Sequence, residues 1–362
     1  HRDLHSFPTR RSSDLKYIGV KHAISVGNGT DALVLALIAC GIGKGDEVIT
    51  TPFTFFSTAE SISSIGAIPV FVDVRKDTYN IDPNKIEEKI TEKTKAIMPV
   101  HIFGQPAEMD QIKEIARKHN LMVIEDAAQA AGSVYKNEKI GSIGDVGCFS
   151  FFPTKNLGCA GDGGMITTNS DSIATIIKAL RTHGSGENGQ KAYNLLNNID
   201  ENIEKSEIYD DTVYNPQKYY NYLIGFNTRL DAIQAGILSV KLPYLDKWIE
   251  KRNLNAKVYY KNLKHTDLIL PKIIDSVISG FNMFVIQSEN RDELVEKLRE
   301  NGISTGVYYP VPMHLQKVYK NLGYKKGDMP NAEYLSHRTF AIPIYPEMSE
   351  DEQNYIIKVI KK

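Results

Sequence analysis

From Lys21 onward, short β-branched runs alternate with helical patterns, and this alternation narrows the folds open to the chain more than any other feature of it. Ala23 to Val26, Glu47 to Thr51, Ile68 to Val74, Lys95 to Val100 and Leu121 to Glu125 read as strands. Between them, Asp31 to Ala39, Phe56 to Ile65 and Asp110 to His119 carry helical spacing. Such alternation predicts an α/β fold with a mainly parallel sheet covered on both faces. Ligands of these sheets bind beyond the carboxyl ends of the strands, so the residues just after each strand are where chemistry is expected.

Four segments meet that condition. Gly27-Asn28-Gly29-Thr30-Asp31 leads directly into a helix, and the free N–H groups of a helix start favour an anion, a phosphate above all. An ordinary cap by Thr30 or Asp31 accounts for the same residues. Thr51 to Phe56 holds three phenylalanines, which serve as core or, for one of them, as a surface lying flat on an aromatic ring. Asp126, followed three residues later by Gln129, sits among small side chains that solvate it poorly. A carboxylate there needs a partner, either a protonated ring nitrogen or a buried structural hydrogen bond. The fourth segment begins as a buried strand, Gly147 to Phe152, closed by Pro153. Lys155 follows in a turn, then glycines at 158, 161, 163 and 164. A lysine whose surroundings lower its pKa can form a Schiff base with a carbonyl; a solvated surface lysine is the plainer alternative.

Composition removes several other functions. The 362 residues, 42% of them hydrophobic, can bury a large core and suggest two domains. Forty-three basic against 44 acidic side chains leave a net charge of -1, which gives no field for nucleic acid or an anionic membrane. Three cysteines, Cys40, Cys148 and Cys159, are odd in number and lack metal spacing, so neither a disulfide framework nor a metal site is expected. The longest apolar stretch, Ala32 to Cys40, is far shorter than the ~20 residues of a membrane helix. A soluble cytoplasmic protein is expected.

The motifs NGTDAL, TPFTFFSTAE, FVDV, HIFGQPAEMD, IEDAAQAAGS, SFFPTKN, GDGGM, GFNTRLDAIQAGIL and YYPVPMH follow one another in this order. In that order the chain resembles the DegT/DnrJ/EryC1/StrS family of sugar aminotransferases, from about Lys16 to its C-terminus. The resemblance implies the type I fold of pyridoxal-phosphate-dependent transferases. A large domain over a mainly parallel, seven-stranded sheet is expected at 16–245, and a small α+β domain at 246–362. It implies pyridoxal 5'-phosphate as cofactor, with Lys155 as its Schiff-base lysine and proton shuttle, and Asp126 keeping the pyridine nitrogen protonated. Gln129 would bond the ring 3'-oxygen and Phe55 would stack on the ring. Ser150 and the Gly29-Thr30 turn would hold the phosphate, joined by Asn227 from a neighbouring subunit, so a homodimer with a shared site is implied.

Three regions need separate treatment. The first fifteen residues carry Arg2, Arg10 and Arg11, whereas the next arginine is Arg75. That segment resembles translated sequencing-adaptor read-through and is set aside as non-native, with Lys16 to Val20 as the tail of a truncated first helix. Ser185 to Tyr222 is an insertion that reads as a solvated loop or as a tyrosine-bearing flap over the substrate. Towards the C-terminus, Arg229 to about Lys261 is helical with a break at Pro243. Ile278 to Gln287 and Ser304 to Tyr309 read as strands, flanking a helix at Arg291 to Asn301. Pro310 and Pro312 stiffen the segment bearing Tyr309 and His314, which the resemblance places, with Arg229, at the substrate.

The expected activity is transfer of an amino group, with L-glutamate as donor, to a keto sugar nucleotide. The Tyr-Pro-x-Pro-x-His form resembles relatives that aminate C3 more than those that aminate C4. A cyclitol (inosose) aminotransferase and a non-enzymatic, cofactor-binding regulator are the alternatives, and the retained Lys155 speaks against a dehydratase.

Overall fold

A computed structural model of the chain describes residues 14–199 and 219–362. Residues 14–18 form a helical turn that Gly19 ends at φ +83. Leu15, assigned by composition to the foreign segment, packs against the core. Residues 1–13 of that segment lie outside the described residues.

The elements then follow in the expected alternation: β1 (His22–Val26), α1 (Gly29–Ala39), β2 (Glu47–Thr50), α2 (Ser57–Ser64), β3 (Ile68–Phe71), β4 (Thr94–Ile97), α3 (Met109–His119) and β5 (Met122–Asp126). Two short strands, β6 (Val134–Tyr135) and β7 (Glu138–Lys139), precede β8 (Val146–Ser150) and β9 (Gly164–Thr168). After them come α4 (Asp171–Leu180), α5 (Gly186–Leu196), α6 (Ala232–Lys241) and α7 (Leu245–Leu263). The C-terminal part adds β10 (Val277–Ile278), β11 (Phe284–Gln287), α8 (Arg291–Glu300), α9 (Pro330–Arg338), β12 (Thr339–Ile342) and α10 (Glu350–Lys361).

Seven strands form one sheet in the order β1-β9-β8-β5-β4-β2-β3. All neighbours from β8 to β3 pair in parallel, while β9 runs against both β8 and β1. Neighbouring strand residues divide between two cores. Ala23, Ile49, Ile97, Val123 and Met165 belong to one, and Ile24, Val48, Ala96, Ile124 and Ile166 to the other. Period-two alternation with apolar residues on both faces is what a sheet covered by helices on each side requires. Helix α1, buried from Ala32 to Leu37, lies inside the second core.

Several sequence-based expectations change. The run Gly147 to Phe152 ends as a strand at Ser150, after which Phe151 still bonds Gly163 and Phe152 belongs to the loop. Ile278 to Gln287 is two strands, not one. Its middle leaves the ladder so that Gly280 N–H can reach Gly104 O at 2.8 Å, and β10 and β11 join different sheets. Ser304 to Tyr309 is no strand but a single bridge between Gly306 and Ala341. The sequence pattern missed the true partner of β11, the strand β12. The insertion is not simply a loop, since Gly186–Leu196 is helix α5, packed on α4. The acidic residues Asp200, Glu201, Glu204, Glu207, Asp210 and Asp211 of the insertion, with Tyr209 and Tyr214 among its tyrosines, lie outside the described residues. The predicted helix from Arg229 is α6 and α7, separated by a tight turn over Leu242–Tyr244 that contains Pro243. Among the described residues, no helix is long and apolar enough to cross a membrane.

Candidate active site

The carboxyl ends of β1, β2, β5 and β8 open on one edge of the sheet, and each delivers one of the singled-out segments there. Strand β9 begins at that edge because it runs the other way, so the loop between β8 and β9 turns back within 13 residues, 151–163, and holds Lys155 at its tip. Backbone bonds close this loop: Phe151 N–H donates to Gly163 O and Cys159 N–H to Phe151 O, both at 2.7 Å. Helix α6 grips it from outside, with Lys241 Nζ on Gly158 O at 2.7 Å and Gln234 Oε1 accepting from Ala160 N–H at 2.9 Å. The lysine therefore stands on a rigid turn, not a free surface loop.

Asp126, the last residue of β5, is 4% exposed. Burial raises its pKa above the ordinary value. A hydroxyl hydrogen bond from Thr58, the Ala128 N–H and the charges of Lys155 and His101 oppose that rise without cancelling it. Lys155 shifts the other way. Burial disfavours its ammonium and lowers the pKa, against the attraction of Asp126. A half-buried amine of reduced basicity beside a buried carboxylate is the state a Schiff-base lysine requires.

A candidate anion seat, formed where the starts of α1 and α2 meet, lies next to the pair. The side chain of Asn28, not Thr30 or Asp31, caps α1 by accepting from Asp31 N–H at 2.8 Å. Thr30 is thereby left facing α2, with its hydroxyl 2.8 Å from that of Ser57 in the first turn of α2. Two helix starts and two hydroxyls thus converge. A Cβ built on Gly29 would stand 2.7 Å from the Cβ of Ser150, so only glycine lets these backbones close around the seat. Thr228 ties the segment carrying Asn227 to the same turn, accepting from Gly27 N–H at 2.8 Å and donating to Asp31 at 2.5 Å.

Gln129 is clamped in one orientation. Its Oε1 accepts from Phe103 N–H at 2.7 Å, which fixes Nε2 as the donor to Tyr309 OH at 2.9 Å. Phe103 holds this position at φ +56, a strained angle for a bulky residue, and its ring stacks on Tyr309 at 6.1 Å. Tyr309, expected as a substrate contact, is thus bound to Gln129 inside an aromatic cluster with Phe53 and Phe103. His314, expected at the substrate, is instead packed away. It is 2% exposed and its Nε2 lies 3.0 Å from Glu333. Phe55 stands out at 60% exposed, Asn227 is exposed, and Arg229 is half-buried.

Sequence reasoning missed Thr58, Thr54, His101 and Glu125. Glu125 directly precedes Asp126 but bonds His101 and the 141–144 turn, while Thr58 from α2 and His101 from the loop after β4 reach Asp126 through folding, which no spacing rule encodes. The cofactor expected from the resemblance fits this donor set: an amine of lowered basicity, a carboxylate for a ring nitrogen, a fixed amide for a phenolic oxygen, and a glycine-lined anion seat.

Comparisons with known proteins agree. Over 347 residues the chain is 46% identical to the "Pleiotropic regulatory protein" of Geobacillus stearothermophilus, covering 95% of this chain and 85% of that one. Over 344 residues it is 40% identical to the UDP-N-acetyl-3-dehydro-alpha-D-glucosamine 3-aminotransferase of Acidithiobacillus ferrooxidans, covering 95% and 85%. The crystal structure of NtdA from Bacillus subtilis with bound cofactor PMP superposes with a TM-score of 0.81 at 29% identity, covering 98% of this chain and 77% of that one. Residues 14–361 match the model of the DegT/DnrJ/EryC1/StrS aminotransferase family. The protein belongs to that family and is a pyridoxal-phosphate-dependent aminotransferase of the type I fold.

Proposed function

We propose that the protein aminates C3 of a keto sugar nucleotide, taking the amino group from L-glutamate. The observation that carries the reading is the placing of Lys155 and Asp126, each with a pKa moved by burial, beside the Gly29–Ser150 anion seat. Pyridoxal 5'-phosphate supplies the electron sink on which the amino group is exchanged. Lys155 would hold the cofactor through Nζ and, as a neutral amine, would take up and return the proton of the carbon that bears the amino group. Its lowered basicity keeps part of it neutral for that work. Asp126 holds the ring nitrogen protonated, and the free N–H of Gln129 Nε2 bonds the ring 3'-oxygen. Thr30, Ser150 and the backbone at Gly29 hold the phosphate, and Phe55 covers the ring face. Arg229, two residues after Asn227, serves an anionic group of the substrate. The substrate class follows the 3-aminotransferase of A. ferrooxidans named above.

Asn227 of a second copy of the chain completes the phosphate seat. In support of a homodimer, Ile224, Ile233 and Val240 are 98%, 76% and 70% exposed around that residue and along α6. A non-enzymatic regulatory role, raised by the name of the G. stearothermophilus relative, would use Lys155 for cofactor binding alone and would show no exchange of the amino group with L-glutamate. The deciding experiment loads the protein with L-glutamate and offers 3-keto and 4-keto sugar nucleotides and free inososes. Turnover of nucleotide-linked 3-keto sugars is expected; preference for 4-keto sugars or inososes would refute the proposed specificity.

A further inference from the structure

Burial alone would make Asp126 a poor partner for a protonated ring, because a carboxyl group removed from water tends to keep its proton. Two donors work against that: Ala128 N–H on Oδ1 at 3.2 Å and the Thr58 hydroxyl on Oδ2 at 2.8 Å. Thr58 has a single hydroxyl proton and spends it on the carboxylate, so its oxygen can only accept from Thr54, 3.0 Å away. Both threonines are 1% exposed, which keeps water from substituting for either. The two O–H bonds therefore point the same way, toward Oδ2, and each polarises the next. Both side chains are β-branched and stiff, and Thr58 is fixed in the first turn of α2.

We propose that Thr58, oriented by Thr54, is a positioning residue that keeps Asp126 ionised and fixes which carboxylate oxygen meets the ring nitrogen of the cofactor. The inference rests on the role given to Asp126 above. The other titratable groups acting on or facing Asp126 are Lys155 from the turn after β8, His101 from the loop after β4, Cys148 on β8 and Tyr309 from the C-terminal part. His101 has both ring nitrogens engaged elsewhere, on Glu125 and Ala107, and Tyr309 is bonded to Gln129. Thr58 is thus the side chain hydrogen-bonded to this carboxylate.

The test follows the carboxyl carbon of Asp126 by NMR in apoprotein labelled on aspartate, with Asp126→Asn identifying the signal. A hydrogen bond to a charged group is worth about 1.5–3 kcal/mol, so Thr58→Val should move the titration up by about 1–2 pH units, and Thr58→Ser should restore it. Thr54→Val, which removes only the outer donor, should give a smaller shift in the same direction and serves if Thr58→Val does not fold. In the holoenzyme, Thr58→Val should slow the glutamate half reaction about tenfold or more, mostly in kcat, with its pH profile displaced the same way. Titration in the Val variants unchanged from the parent would overturn the proposal and leave Thr58 a packing residue. A separate outcome, Asp126→Asn with undiminished cofactor binding and half-reaction rate, would instead overturn the role given to Asp126.

Discussion

Burial pushes Asp126 and Lys155 toward their neutral forms from opposite sides, and the contacts around each decide how far it succeeds. One residue earlier, Glu125 shows the contrary case. It is fully buried, yet its carboxylate accepts from Ile143, Gly144 and Gly141 N–H and from His101 Nε2, all within 3.1 Å. Burial pushes its pKa up, but the His101 bond and charge and the amide bonds outweigh it, and the net shift is downward. A carboxylate with a depressed folded-state pKa contributes stability above its unfolded value, about 4.3, and loses it as pH falls through the folded value. Glu125→Gln, which sets an amide NH2 against backbone donors, should cost about 2–4 kcal/mol at neutral pH. Urea titrations should show that deficit shrinking as the pH is lowered below about 4; a pH-independent deficit would contradict the assignment. The sequence singled out Lys155 and Asp126 by their position after strands but left a solvated lysine and a structural carboxylate open, and the resemblance alone gave them roles. The roles of Glu125, His101 and Thr58 were not legible, since the Glu125–His101 and Thr58–Asp126 contacts join a strand to a loop and to a helix far away in sequence.

At the scale of elements, the carboxylate of Asp73, in the FVDV motif, caps a helix far along the chain. It accepts from Asn331 N–H at 3.0 Å and Ala332 N–H at 2.9 Å at the start of α9, where Met329 at the cap position offers no side-chain bond. Pro330 needs no such partner, having no N–H. Asp73→Ala should lower stability by about 1–3 kcal/mol in urea unfolding, whereas an unchanged midpoint would mean that water replaces the cap. The early strands and helices were readable from their apolar periods and not from their caps, since Asn28 caps α1 in place of Thr30 or Asp31 and neither α2 nor α3 has a side-chain cap bond. The C-terminal strands were not, because Ser304 to Tyr309 carries β-branched and aromatic residues but feeds Pro310 and Pro312 and turns Tyr309 into the cluster with Phe53 and Phe103. Helix α5 escaped notice because its glycines, Gly186 and Gly189, suggest a loop. Gly189 is instead required by contact with the backbone of Gly184.

Over the whole molecule, the site is built from strand ends distant in sequence and from a C-terminal part that reaches back through Tyr309 to Gln129 and through Gly280 to Asn156, the neighbour of Lys155. The proposed homodimer would extend that logic to a second copy through the exposed apolar residues Ile233 and Val240 of α6. Ile233→Glu with Val240→Glu should convert a dimer to monomers by analytical ultracentrifugation and cut activity together with cofactor retention. A double variant that stays dimeric, or a fully active monomer, would refute the shared site. The central claim, that Lys155 is the residue bonded to the cofactor, is tested by reducing the purified protein with borohydride in the presence of pyridoxal 5'-phosphate and mapping the adduct by peptide mass spectrometry. The account predicts a pyridoxyl group on Lys155 that vanishes in Lys155→Ala; an adduct on another lysine, or none, would contradict it.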